Sequence, residues 1–253
     1  VLHQGFSSSP ALFDALVIVS ADNKGTGALA ALDRATGELK WKESRPALPN
    51  YTSPIILNVA GKDQMFFIGC DLVTSLDPRT GKKLWEMPGA TTECVTSTVA
   101  DGDLIFTSGG YPKNHVSAVK ADGTGKIAWE NNTRVYVPSL LAKEGHLYGV
   151  LDAGVAFCWK ADTGKEVWND RLGGTFSASP VLVGEHLFAT NEAGLTYIWK
   201  ANTKGLDVVG KNQLGEEVFA TPVICGDRIY MRVASKVKGQ RQETLYCLGK
   251  SSK

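Results

Sequence analysis

The side chains able to do chemistry are few and scattered. Four histidines, His3, His115, His146 and His186, could carry a proton or bind a metal, but none has metal-ligand spacing. His146 and His186 recur at one place in successive units of a repeat, which marks a structural position rather than a ligand pair. The five cysteines, Cys70, Cys94, Cys158, Cys225 and Cys247, include no adjacent pair and no C-x-x-C, and their odd number leaves at least one unpaired within the chain. They read as buried small hydrophobic residues on strands. The stretch GTGALA at 25–30 imitates a dinucleotide loop, but it runs into a strand and so lacks the helix N-terminus that would hold a pyrophosphate. There is no G-x-S-x-G, no Walker loop and no kinase signature. The sequons at Asn50 and Asn131 are short enough to arise by chance, and KVKGQR at 236–241 reads as a solvated hairpin loop. No catalytic residue and no metal ligand is assigned.

The bulk properties exclude further classes. A chain of 253 residues with 43% hydrophobic residues can bury a core, and a net charge of +1 gives no electrostatic reason to expect nucleic acid or an anionic membrane. No apolar run approaches the length of a spanning helix, roughly 18–20 residues. No signal peptide and no initiator Met are present, so the chain is read as an excised or processed piece.

What the chain does carry is a repeat. DRATGELKW at 33–41, DPRTGKKLW at 77–85, ADGTGKIAW at 121–129 and KADTGKEVW at 160–168 each place a Trp four residues after a turn Gly. The glycines are Gly37, Gly81, Gly125 and Gly164, with a fifth at Gly205; the tryptophans are Trp41, Trp85, Trp129 and Trp168, and Val209 stands at the fifth place. A second mark, Ser/Thr-Pro, runs in step at Pro10, Pro54, Pro180 and Pro222, with degenerate copies at Thr98 and Ser139. Between the marks lie short runs of β-branched and aromatic residues broken by turn residues every eight to twelve positions. Four short strands per ~40–45 residues is the arithmetic of a β-propeller blade. The chain is therefore expected to be all-β, with four-stranded antiparallel blades and the turn Gly between strands three and four, where positive φ suits it. Six copies are visible, at about 1–43, 44–87, 88–131, 132–170, 171–212 and 213–250, within one domain. A blade has two apolar faces and must stack on its neighbours, so one Trp per blade, with ~150–250 Å² of surface to bury, is read as the docking residue.

These motifs, LDRATGELKWK and LDPRTGKKLWE above all, resemble the repeat of the pyrroloquinoline-quinone-like (PQQ-like) β-propellers, in which this turn and Trp form the interblade docking motif. The resemblance covers essentially the whole chain. It implies a bacterial protein, periplasmic or secreted, from a family that holds quinoprotein dehydrogenases, a scaffold of outer-membrane protein assembly and many uncharacterised members. The last copy stops at Gly249 without a fourth strand, and the first residues are too few to supply one. A chain truncated at its N-terminus, from a ring of seven or eight blades, is the expectation.

A dehydrogenase of this family needs a vicinal disulfide, an Asp base, calcium ligands and a stacking Trp. This sequence has no Cys-Cys pair, Trp159 and Trp199 fall on third strands, and Glu93 and Glu217 are the few carboxylates near inner-strand starts. No cofactor is expected, with PQQ and calcium as the rival. Function should ride on the long individual loops opposite the Gly turns. The expected binding rim comprises Phe6, Tyr51, Tyr136, Phe176 and Phe219, just before the Ser/Thr-Pro marks, with Arg45, Asn50, Tyr111, Asn131 and Arg134 beside them. The favoured role is a non-catalytic binding or scaffold module for a protein or a carbohydrate-like ligand. A channel-site enzyme and the sensor domain of a larger protein are the alternatives.

Overall fold

Each segment between a Ser/Thr-Pro mark and the next turn Gly forms three antiparallel strands, and the residues after the Gly form a fourth. The structure, a computed structural model, describes residues 5–249; His3 lies outside them. The first sheet is β1 (Ala11–Phe13), β2 (Leu16–Ser20), β3 (Gly27–Asp33) and β4 (Leu39–Arg45). The second is β5 (Ile55–Val59), β6 (Lys62–Gly69), β7 (Leu72–Leu76) and β8 (Lys83–Pro88). The third is β9 (Val99–Asp101), β10 (Leu104–Gly109), β11 (His115–Lys120) and β12 (Ile127–Asn131). The fourth is β13 (Leu141–Lys143), β14 (His146–Val150), β15 (Val155–Lys160) and β16 (Glu166–Arg171). The fifth is β17 (Val181–Val183), β18 (His186–Thr190), β19 (Leu195–Lys200) and β20 (Val208–Gln213). The sixth has three strands, β21 (Val223–Cys225), β22 (Arg228–Val237) and β23 (Gln240–Leu248). Strand order follows the sequence in every sheet. This is the blade architecture of a β-propeller, and the chain is all-β. Among the described residues no helix is long and apolar enough to cross a membrane.

Internal packing divides the chain into two compact units, Val1–Tyr136 with Ala161–Gly164, and Val137–Lys160 with Lys165–Lys253. In the first unit, Ile18, Leu29, Ala31 and Trp41 of sheet one form a core with Met65, Phe67 and Leu76 of sheet two. The opposite face of sheet two, with Phe66, Val73 and Trp85, packs on Ile105 and Val119 of sheet three. In the second unit, Tyr148 and Cys158 of sheet four pack with Leu187 and Trp199 of sheet five. Inner strands are covered on both faces and read as continuous apolar runs, while fourth strands are largely exposed except at the Trp.

The turn Gly and the Trp are joined by a device that sequence spacing alone does not show. All five four-stranded sheets slip register at one equivalent place: between Ala31 and Leu32, Ser75 and Leu76, Ala118 and Val119, Cys158 and Trp159, and Ile198 and Trp199. The bulge leaves one residue of the fourth strand unpaired and re-aims its successor. That successor is Trp41, Trp85, Trp129 and Trp168 in the first four sheets, paired with Ala31, Ser75, Ala118 and Cys158. In the fifth sheet it is Gly210, paired with Ile198. The expectation of Val209 at this place is corrected: one more residue stands between the turn Gly and the bulge, and Val209 is the bulged residue, half exposed.

The cysteine expectation needs a correction too. Cys70, Cys94 and Cys158 are buried, but Cys225 and Cys247 are exposed, on β21 and β23. Only Cys158 is a buried strand residue; Cys70 and Cys94 lie in turns or loops. Burial pushes the Cys70 thiol up to about 12, with the charge of Asp22 adding to it, so this thiol is an inert neutral group.

Candidate interaction surface

The two sequence marks turn out to be contacts between neighbouring sheets. The Trp41 indole N–H donates to the Pro78 carbonyl at 3.2 Å, Trp129 to Ala161 at 2.8 Å, and Trp168 to Asn202 at 2.8 Å. Trp85 reaches its neighbour indirectly: it donates to Gln64 Oε1 at 2.9 Å, and Gln64 Nε2 donates to the Ala121 carbonyl at 2.9 Å. Two of the rings lie on the turn glycine of the following sheet, so that a β-carbon at Gly81 or Gly164 would stand 2.6 Å from Trp41 or Trp129, while Gly205 has nothing within 4 Å. Gly125 lies near Met87 instead, and Gly123 faces Trp85; Gly37 has open space around it. The Ser/Thr-Pro mark forms a second ladder. Backbone N–H groups of Ser9, Ser139 and Ser179 donate to the hydroxyls of Ser53, Ser179 and Thr221, at 2.8, 3.0 and 3.0 Å. Sequence reading recognised the mark but missed this role, although its even spacing was the available signal.

The expected rim residues separate into two groups. Phe6 and Tyr111 are exposed, at 73% and 53%. Arg134 is also exposed, and Tyr136 and Asn131 are half-buried. In the second unit Phe219 is exposed beside Arg232 and Arg241, on the flank of the last hairpin. Tyr51, Asn50 and Phe176, by contrast, are buried, and the Arg45 side chain is 4% exposed. These four are interior residues and not surface contacts, which corrects the expectation. Phe176 packs on Tyr197 within the core of the second unit.

Arg45 and Asn50 have an identifiable interior task. Asp22, from the loop after β2, accepts from Arg45 Nε at 3.4 Å, Arg45 Nη2 at 3.3 Å and Asn50 Nδ2 at 3.2 Å. Arg45 also donates to Thr74 Oγ1 and the Gly69 carbonyl, and its guanidinium lies 4.6 Å from the Phe67 ring centre. Asn50 Oδ1 accepts the backbone N–H of Cys94 at 3.2 Å, and the Tyr51 N–H donates to the Cys94 carbonyl at 3.0 Å. The loop before β5 is thereby pinned to sheet two and to the loop before β9. Asp22 carried no sequence signal, because ADNKGTG looks like any solvated turn.

On this pinned base the first unit brings Tyr51, Glu93, Tyr111, Arg134 and Tyr136 together. The Glu93 N–H donates to the Tyr111 carbonyl at 3.3 Å, which ties the loop before β9 to the loop after β10. Gly110 lies directly on Tyr136, with room for no side chain: a β-carbon there would stand 2.5 Å from Tyr136 Cβ. The Arg134 guanidinium is 5.1 Å from the Tyr136 ring centre, a cation–π distance. Burial first, then the charges of Glu93 and its neighbours, raise the Tyr136 hydroxyl above its usual range, and Arg134 opposes them. Tyr136 is therefore a neutral phenol at physiological pH. The arrangement offers aromatic faces, one cation and one anion on loops with fixed backbones. It holds no nucleophile paired with a base.

A quinone held by calcium would need converging oxygen ligands. Among the described residues no three His, Cys, Asp or Glu side chains form a group that could hold a metal ion.

A family profile described as outer membrane protein assembly factor BamB matches residues 1–170 and 112–208. No curated protein matches. Similar solved structures include BamB from Moraxella catarrhalis, 14% identical, with 89% of this chain and 79% of that chain covered and a TM-score of 0.55. They also include the computationally designed Ika8 protein, 14% identical, with 88% and 67% covered and a TM-score of 0.68. At that identity the likeness speaks for the fold alone.

Proposed function

We propose, from the premise that this chain belongs to the BamB family of PQQ-like repeat propellers, that it is a non-catalytic scaffold which binds another protein through the loop cluster of its first unit. The family description, an outer membrane protein assembly factor, supports a role in assembly among other proteins. In this reading the protein works in the periplasm or outside the cell, with no resident cofactor.

One observation carries the reading. Exposed Tyr111 is tied through its carbonyl to the Glu93 N–H, and the Arg134–Tyr136 pair packs beside it, with Tyr136 against Gly110. Tyr and Arg give the largest contributions at protein interfaces, and a fixed backbone reduces the ordering cost of binding. The test is a photo-crosslinking amino acid placed at Tyr111 in cells that make the protein, with a second placed at the exposed Lys24 as control. Discrete protein adducts from position 111, lost when Arg134→Glu is added, are the expected result. No adduct at 111, or the same adducts from both positions, would overturn the reading. Retention on polysaccharide without protein adducts would turn it toward a carbohydrate ligand.

A further inference from the structure

The fifth sheet breaks the rule that the first four obey. In sheet one, Ile18, Ala31 and Trp41 are register partners across neighbouring strands, and they share one core with Met65 and Leu76 of the next sheet. The same register in sheet five runs Phe188, Ile198, Gly210. Gly210 has no side chain to place where the others place an indole. The positions equivalent to Met65 and Leu76 are Ile229 and Leu248, and they face Phe188 and Ile198 across an apolar cleft of about 230 Å³. All of this lies within the second unit.

We propose that this cleft binds a free, planar, apolar aromatic molecule of indole size, at the kind of sheet junction to which four other sheets bring their own tryptophan ring. The occupant's chemistry follows from the repeat: a flat aromatic group is what this fold packs there. An apolar cavity of about 150 Å³ already takes up benzene, so a larger cleft with aliphatic and aromatic walls has room for a bicyclic ring. Among the described residues no charged side chain lines it, and its polar groups are Thr196, Asn212 and Gln213, which favours a neutral ligand. The site is separate from the loop cluster of the first unit, and the two readings stand or fall independently.

Indole itself is the probe. The whole chain is titrated and its melting temperature followed, with calorimetry to establish saturation. A ligand bound only by the folded state raises Tm, here by about 2–4 °C at ten times Kd. The decisive variant is Gly210→Trp. Gly210 has no left-handed backbone requirement, and a β-carbon there meets Ile198 at 3.4 Å, so the backbone position tolerates a side chain root. It should raise Tm without ligand and abolish the response to indole. Ile224→Phe fills the cleft from sheet six and should weaken indole at least tenfold, which keeps the test open if the first variant folds poorly. Absence of a saturable response in the natural chain, or a response unchanged in a folded filled variant, overturns the proposal.

Discussion

Trp41 lies flat on Gly81: a β-carbon added to the glycine would stand 2.6 Å from Cε3 and 2.7 Å from Cδ2 of the ring. Gly81 also has φ of +73°, so two constraints meet at one residue, a left-handed backbone and a neighbour with no room to spare. Gly37 has φ of +75° at the equivalent place in sheet one but nothing within 4 Å of its missing β-carbon.

The pair separates the two constraints. Gly37→Ala should cost only the left-handed strain, about 1 kcal/mol. Gly81→Ala should cost that and the displacement of a packed indole, in total about 3 kcal/mol or more. Chemical denaturation of both variants measures the difference. Equal losses would mean that the ring does not bear on the turn.

The fold was legible because the chain states it repeatedly, in six copies of a strand pattern with fixed punctuation. Trp41 and Gly81 could each be picked out as docking residues from spacing alone. That they touch across two units of the repeat could not, since spacing within a copy says nothing about contact between copies. The candidate surface was less legible. Tyr111 and Arg134 are exposed, whereas Arg45, Asn50, Tyr51 and Phe176, which look like surface residues when read as polar and aromatic loop positions, are interior. What buries Arg45, Asn50 and Tyr51 is Asp22 and the loop before β9, which lie far from them in sequence, while Phe176 packs in the core of sheets four and five. Gly210 was missed because one extra residue after the turn Gly moves the bulge without changing the composition.

The Asp22–Arg45 pair, with side chains 1% and 4% exposed, should be costly to break and cheap to replace. Arg45→Met leaves a buried carboxylate without its cation and should destabilise by about 3–5 kcal/mol. Asp22→Asn with Arg45→Met removes that charge while leaving an acceptor for Asn50, and should recover more than half of the loss. A double variant no more stable than the single one would show that the pair acts through packing, not charge. Both are compared by urea unfolding.

Calcium with pyrroloquinoline quinone should leave the melting temperature where calcium alone leaves it. The physical ground is the lack of a converging acidic group among the described residues. Any ligand bound by the folded state raises Tm by linkage, so a saturable quinone-dependent rise would restore the dehydrogenase reading.

Two tryptophans should reverse the order that burial suggests. Trp199 is fully buried, and among the described residues its indole N–H meets no acceptor. Trp168 is less buried, and its N–H donates to the Asn202 carbonyl at 2.8 Å. Replacement by Phe removes about the same volume at both places. At Trp199 it also removes an unmatched donor, which is worth about 1–3 kcal/mol in an apolar interior and offsets the lost packing. At Trp168 it removes a made hydrogen bond and strands a carbonyl. Trp168→Phe should therefore be the more destabilising change, by about 1–2 kcal/mol. Thermal and urea unfolding of the two variants decide it. A larger loss at Trp199 would mean that packing volume, not hydrogen bonding, governs these rings.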